Sequence, residues 1–137
     1  MSYIDFYGLT EEPFGNAPVS SRFFYNSAQH SQALLRMMYA ADAMKGLAMV
    51  VGDIGSGKTT LARRMLDQLP DEEYEAAMLV IIHSAITADW LLRRIATLLG
   101  IDDPPHDKAT ILGLIYEKLK EISEGGKKAI LIVDEVQ

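Results

Sequence analysis

Apolar residues at helical spacing alternate along this chain with short unbroken apolar runs. In "SAQHSQALLRMMYAADAMKG", Leu34, Leu35, Met38, Ala41 and Met44 recur at helical spacing, with Ser27 as N-cap and Gly46 as a stop. "LAMVV" (47–51) is too short for a helix before Gly52 and reads as a fully buried strand. "TTLARRMLDQL" sets Leu61, Met65 and Leu69 on one face and is stopped by Pro70. "AAMLVIIH" (76–83) is a second continuous apolar strand. "TADWLLRRIATLLG" has Thr87 as N-cap, Asp89 in the first turn, Leu92, Ile95 and Leu99 on the core side, and Gly100 to end it. After the loop "IDDPPHD" a helix presents Leu112, Ile115, Leu119 and Ile122, and "EGGKK" turns the chain into the last strand, "AILIV" (129–133). Apolar strands alternating with amphipathic helices predict an α/β fold, a parallel sheet covered by helices on both faces. There are no internal repeats and no low-complexity segments.

The first 26 residues break this rhythm. Pro13, Gly15, Asn16, Pro18 and three serines are interleaved with Phe6, Tyr7, Phe14, Phe23, Phe24 and Tyr25. That mixture predicts an irregular segment that packs its aromatics down. A length of 137 residues suits one domain. It divides into an aromatic segment and helix (1–45) and a core running from the glycine-rich loop to the closing acidic strand (46–137).

The loop between the first strand and its helix carries the chemistry. "GDIGSGKTT" satisfies G-x-x-x-x-G-K-S/T with Gly52, Gly57, Lys58 and Thr59. Glycines let the backbone curl so that successive N–H groups face an anion, and the helix beginning near Lys58 adds its positive end. Nucleotide phosphates are the expected ligand, cradled by Gly52, Asp53, Ile54, Gly55, Ser56, Gly57, Lys58, Thr59 and Thr60. Lys58 reaches the β- and γ-phosphates and the Thr59 hydroxyl ligates Mg²⁺, while Asp53 and Ile54 point away. An accidental glycine-rich turn is the bland alternative. With glycine at about 7% of residues, a chance match in a chain of this length is roughly one in 200.

"ILIVDEVQ" closes the chain, and a buried strand ending in Asp134-Glu135 delivers two acids to the edge where the phosphate loop opens. In this reading Asp134 holds Mg²⁺ through its water shell, and Glu135 orients and deprotonates the water that attacks the γ-phosphate. A solvated turn after a strand is the plain alternative. A small-molecule P-loop kinase is a further one, although it has no need of a water-activating acid here.

Composition narrows the setting. The formal net charge of −6 speaks against a broad nucleic-acid face, and the basic pairs Arg63-Arg64, Arg93-Arg94 and Lys127-Lys128 are scattered. The absence of cysteine excludes disulfides and thiolate chemistry and argues against zinc. "MSYIDFYGLTEEPF" lacks a signal pattern and no apolar run approaches membrane-spanning length, so the expected address is the cytoplasm.

"FYGLTEEPF", "RFFYNSAQHSQAL", "GDIGSGKTTL" and "LIVDEVQ" together resemble one family across the whole chain: the N-terminal ATPase domain of general secretion pathway protein A (ExeA-like), in the AAA+ superfamily. The resemblance rests on Phe6, Leu9, Pro13 and Phe14, on Ser27, His30 and Leu34, and on a closing tetrad with Val136 in place of the family's alanine. "PVSSRFFY" departs from the family's Pro-Asp-Pro-type turn. The resemblance implies a three-layer α/β/α P-loop NTPase of AAA+ type, truncated after the Asp-Glu (Walker B) strand. It implies an Mg²⁺-dependent ATPase that acts as a homo-oligomer and is coupled to bacterial secretion or envelope assembly. The full-length protein would be anchored to the inner membrane, its span and peptidoglycan-binding portion lying further on. Related ATPases serve DNA transposition as adaptors, which is the runner-up. In AAA+ sheets the strand after the Asp-Glu strand returns between it and the phosphate-loop strand. Leu47–Val51 and Ala129–Val133 are therefore not neighbours, Ala77–His83 pairs with the acidic strand on its outer side, and a slot is left between. The expectation is a fragment of a longer protein, able at most to hold nucleotide weakly and with negligible ATPase activity alone.

His30 has two readings, facing the adenine or capping and packing, and the second is the plainer. His83 ends a strand on the functional edge. Trp90 and the methionines at 37, 38, 44, 65 and 78 read as core.

Overall fold

Side-chain oxygens mark where most of the helices begin. The protein is seen in a computed structural model that describes residues 2–13, 24–82 and 84–135. Its elements are α1 (Tyr3–Tyr7), α2 (Ala28–Asp42), α3 (Lys58–Gln68), β1 (Tyr74–Ile81), α4 (Ala88–Leu98), α5 (Lys108–Glu124) and β2 (Lys128–Glu135). Ser27, Thr87 and Asp107 cap α2, α4 and α5 by accepting from the backbone N–H three residues on. Ser2 and Asp5 form a reciprocal capping box on α1.

The two strands pair in parallel, in register from Tyr74↔Lys128 to Ile81↔Glu135, so their carboxyl ends coincide. Side chains alternate across a sheet, and this parity sorts the core. Tyr74, Ala76 and Met78 of β1 and Ile130 and Ile132 of β2 pack with Leu34 and Ala41 of α2 and with Leu61, Ala62, Met65 and Leu69. Burying each large apolar side chain in such a cluster contributes about 1.5–3 kcal/mol. A second cluster, Ala96, Ile111 and Ile115, joins α4 to α5. Asp134 has the same parity as Ile132 and therefore faces α3.

Several expectations need correction. Leu47–Val51 forms no strand: among the described residues the sheet has two strands, and Leu47, Met49 and Val51 are exposed. An extended run cannot close a ladder without a neighbouring backbone. This segment and β2 instead line a groove of about 830 Å³. β1 does pair with the acidic strand, over Tyr74–Ile81; His83 lies outside the described residues. Cover is incomplete, because Leu131 and Val133, of opposite parity to Ile132, remain exposed. Leu35 of α2 and Met44, just beyond its end, are exposed, and Met37 is half-buried against the core instead. On α5 the buried row is Ile111 and Ile115, while Leu112 and Leu119 are exposed. The periodicity was compatible with either row, and docking chose between them. Trp90 is also partly exposed.

The N-terminal aromatics behave differently from expectation. Phe6, Tyr7 and Tyr25 are exposed, and a short helix replaces part of the irregular segment. Phe24 alone of the described set packs against the core. Phe14, Pro18, Phe23, Val136 and Gln137 lie outside the described residues.

Candidate functional site

The start of α3 differs from every other helix start among the described residues. Its N-cap is Gly57, in the left-handed region at φ 91°, with no side chain capping the first turn. The N–H groups of that turn are left to meet a ligand, and they sit at the positive end of the helix. A side chain at Gly57 would be strained by that φ and would also lie 3.1 Å from His30 Nε2. At Gly52 the approach is to a side chain: a Cβ there would lie 2.8 Å from Ser56 Oγ, so the serine hydroxyl would have to turn away. The loop closes on itself through Ser56 N–H donating to the Asp53 carbonyl at 3.1 Å. Asp53, Ile54, Gly55 and Ser56 are exposed, and Thr60 is half-buried one turn into the helix.

Two charged groups at this loop rest on neutral partners. Lys58 Nζ donates to the Gly52 carbonyl at 2.6 Å. Asp134, the one buried charged residue among those described, accepts from the Thr59 hydroxyl at 2.8 Å. That bond spans 75 positions of sequence and joins the phosphate-loop helix to the end of β2. Glu135 follows with opposite parity and is exposed. Lys58, Thr59, Asp134 and Glu135 all line the same groove, together with Ile54 and Gly55.

The residues fit a Mg²⁺ ion. A threonine hydroxyl and a carboxylate are hard oxygen donors, and Mg²⁺ commonly completes its shell with water and phosphate oxygens. Among the described residues no cluster of three or more His, Asp or Glu could hold a metal by itself. A hydroxyl and a carboxylate leave room in such a shell for phosphate and water oxygens.

The contacts of His30 were not foreseen. Its Nε2 lies 2.8 Å from the Ser56 carbonyl and its Nδ1 lies 2.5 Å from Ser27 Oγ. The only hint in sequence was a histidine three residues after an N-cap serine; nothing local shows that the first turn of α2 meets the loop.

The AAA domain family model matches residues 41–137. General secretion pathway protein A of Aeromonas hydrophila is 32% identical over 139 aligned residues, which cover 98% of this chain and 24% of that protein. The chain thus spans about a quarter of the length of the curated relative it matches. No solved structure matches. Among the described residues no helix is long and apolar enough to cross a membrane. With the family match covering the loop, both strands and every helix from α3 onward, the chain belongs to the AAA domain family, as an ExeA-like member among the P-loop NTPases.

Proposed function

We propose that this domain binds ATP and, in an oligomeric assembly, serves its Mg²⁺-dependent hydrolysis for bacterial secretion or envelope assembly. The observation that carries the chemical part is the Thr59–Asp134 bond at 2.8 Å. It draws a hydroxyl from the phosphate-loop helix and an acid from a strand end into one place, at the mouth of an uncapped helix. The Gly52–Thr60 backbone cradles the phosphates, and Lys58 leaves the Gly52 carbonyl for the β- and γ-phosphate oxygens, trading a neutral acceptor for an anionic one. Thr59 and Asp134 are the residues that hold Mg²⁺, which when bound neutralises charge on the phosphates. Glu135, one residue further on, takes the proton of the attacking water.

The secretion role is supported by the relative's printed name and by the likeness over almost the whole of this chain. Assembly as a homo-oligomer belongs to the same reading. The net charge of −6 disfavours the DNA transposition reading. The kinase reading is disfavoured because a small-molecule kinase has no need of a water-activating acid at the position of Glu135.

Calorimetric titration with MgATP tests the proposal. The parent chain binds, and Lys58→Ala abolishes measurable binding by removing the side-chain cation aimed at the phosphates. Unchanged affinity would mean that the loop is no phosphate cradle.

A further inference from the structure

We infer that His30 is a positioning residue that locks the Ser56–Gly57 peptide of the phosphate loop in its anion-binding orientation. This rests on the nucleotide reading given above. A carbonyl oxygen can only accept, so the 2.8 Å contact with Ser56 requires the proton to sit on His30 Nε2. In the neutral imidazole Nδ1 is then an acceptor, and the Ser27 hydroxyl lies 2.5 Å away to supply it. Ser27 Oγ meanwhile accepts from the His30 backbone N–H at 3.2 Å as the cap of α2. One serine thus sets both the helix start and the tautomer. Phe24 stands edge-on to the imidazole at 6.1 Å between centroids, and Arg64 of α3 lies over the Phe24 ring at 5.7 Å. The ring is therefore held by Ser27 and Phe24 on one side and by the Ser56 carbonyl of the loop on the other.

The consequence follows from peptide geometry. In a trans peptide the C=O and the next N–H point in opposite directions. Anchoring the Ser56 carbonyl to α2 therefore aims the Gly57 N–H away from α2. A glycine at φ 91° has little steric resistance to a peptide flip, so an external bond is what selects one orientation. The imidazole also packs close enough to Gly57 that a Cβ there would meet Nε2 at 3.1 Å. His30 therefore acts on phosphate binding through the loop, without touching the ligand.

The test compares ATP with inorganic tripolyphosphate, which has no base, in calorimetric titrations of three chains. His30→Phe keeps a ring and loses the donor, whereas His30→Gln offers an amide N–H in its place. His30→Phe should weaken both ligands by the same factor, about two- to tenfold, the size of one net hydrogen bond. His30→Gln should recover most of that loss while melting at the same temperature as His30→Phe. Loss for ATP alone would overturn the inference in favour of a base contact, and equal affinities in all three chains would overturn it outright. A parent that binds neither ligand would sink the nucleotide reading itself. The loop contact is decided separately in the ligand-free chain by long-range nitrogen–proton NMR: an Nε2–H tautomer supports it, and an Nδ1–H tautomer overturns it.

Discussion

The two ends of β2 are built on opposite electrostatic plans. At the amino end Lys128 Nζ donates to Asp42 Oδ1 at 2.9 Å and to the Asp42 carbonyl at 2.7 Å. Tyr74 donates to the same carboxylate at 3.3 Å and lies beneath the ammonium. Charge meets opposite charge, and the end of α2 is clasped to the starts of both strands. At the carboxyl end Asp134 has a hydroxyl and Lys58 a carbonyl. Neutral partners satisfy geometry but leave net charge uncompensated, and an incoming phosphate or cation can displace them at little cost. Opposite charges close the amino end, whereas neutral partners hold the charged groups at the carboxyl end.

The sharpest way to probe this contrast is to alter the acids one at a time. Glu135→Gln keeps size and hydrogen bonding but removes the base. In a preparation that turns over ATP, phosphate release should fall by roughly 10²–10⁴ while ATP still binds. Release at the parental rate would remove Glu135 from the role proposed for it.

A smaller effect is expected from neutralising the buried acid beside it. Asp134→Asn retains an acceptor for the Thr59 hydroxyl and loses the charge that suits a cation. ATP affinity in the presence of Mg²⁺ should drop toward the value measured with a chelator. Asp42→Asn, the same change at the other end of the strand, should leave nucleotide affinity unaltered. If both variants lost affinity equally, the separation of site from clasp would not hold.

Some of this was legible in the sequence and some was not, for reasons that particular residues make plain. Ser27 and Thr87 announced their caps because capping is decided within four residues. The loop glycines leading into α3 and the acids ending β2 were legible as positions because a glycine run before an amphipathic segment marks a helix start and an apolar run marks a strand. Leu35 and Leu112 were misplaced because apolar periodicity allows adjacent faces, and only the docked partner decides which is buried. "LAMVV" has strand composition yet makes no ladder, since pairing is a property of two segments. His30 reaching Ser56 and Lys128 reaching Asp42 span 26 and 86 positions, and no local pattern encodes such meetings.

The least dramatic prediction tests the clasp itself by pH. The hydrogen bond from Lys128, with its charge, holds the Asp42 carboxyl below its ordinary value, and the same bond raises Lys128 above its own. A depressed acid contributes stability that is fully present above its unfolded pKa and is lost as pH falls through the folded one. A raised base contributes stability that is present below its unfolded pKa and is lost as pH rises through the folded one. The pair therefore acts between about pH 4 and about pH 10, the ordinary values for these side chains. Both groups are solvent-exposed, so the effect is small and salt-sensitive. The melting temperature of Asp42→Asn should lie slightly below the parent's near neutrality. The difference should close as pH falls from about 4 through the lowered folded value, where the parental carboxyl also becomes neutral, and should shrink in high salt. A difference that persisted unchanged at pH 2 would show that Asp42 works through its bond to the Tyr74 hydroxyl and not through its charge, and the charge-on-charge plan assigned to this end of β2 would be wrong.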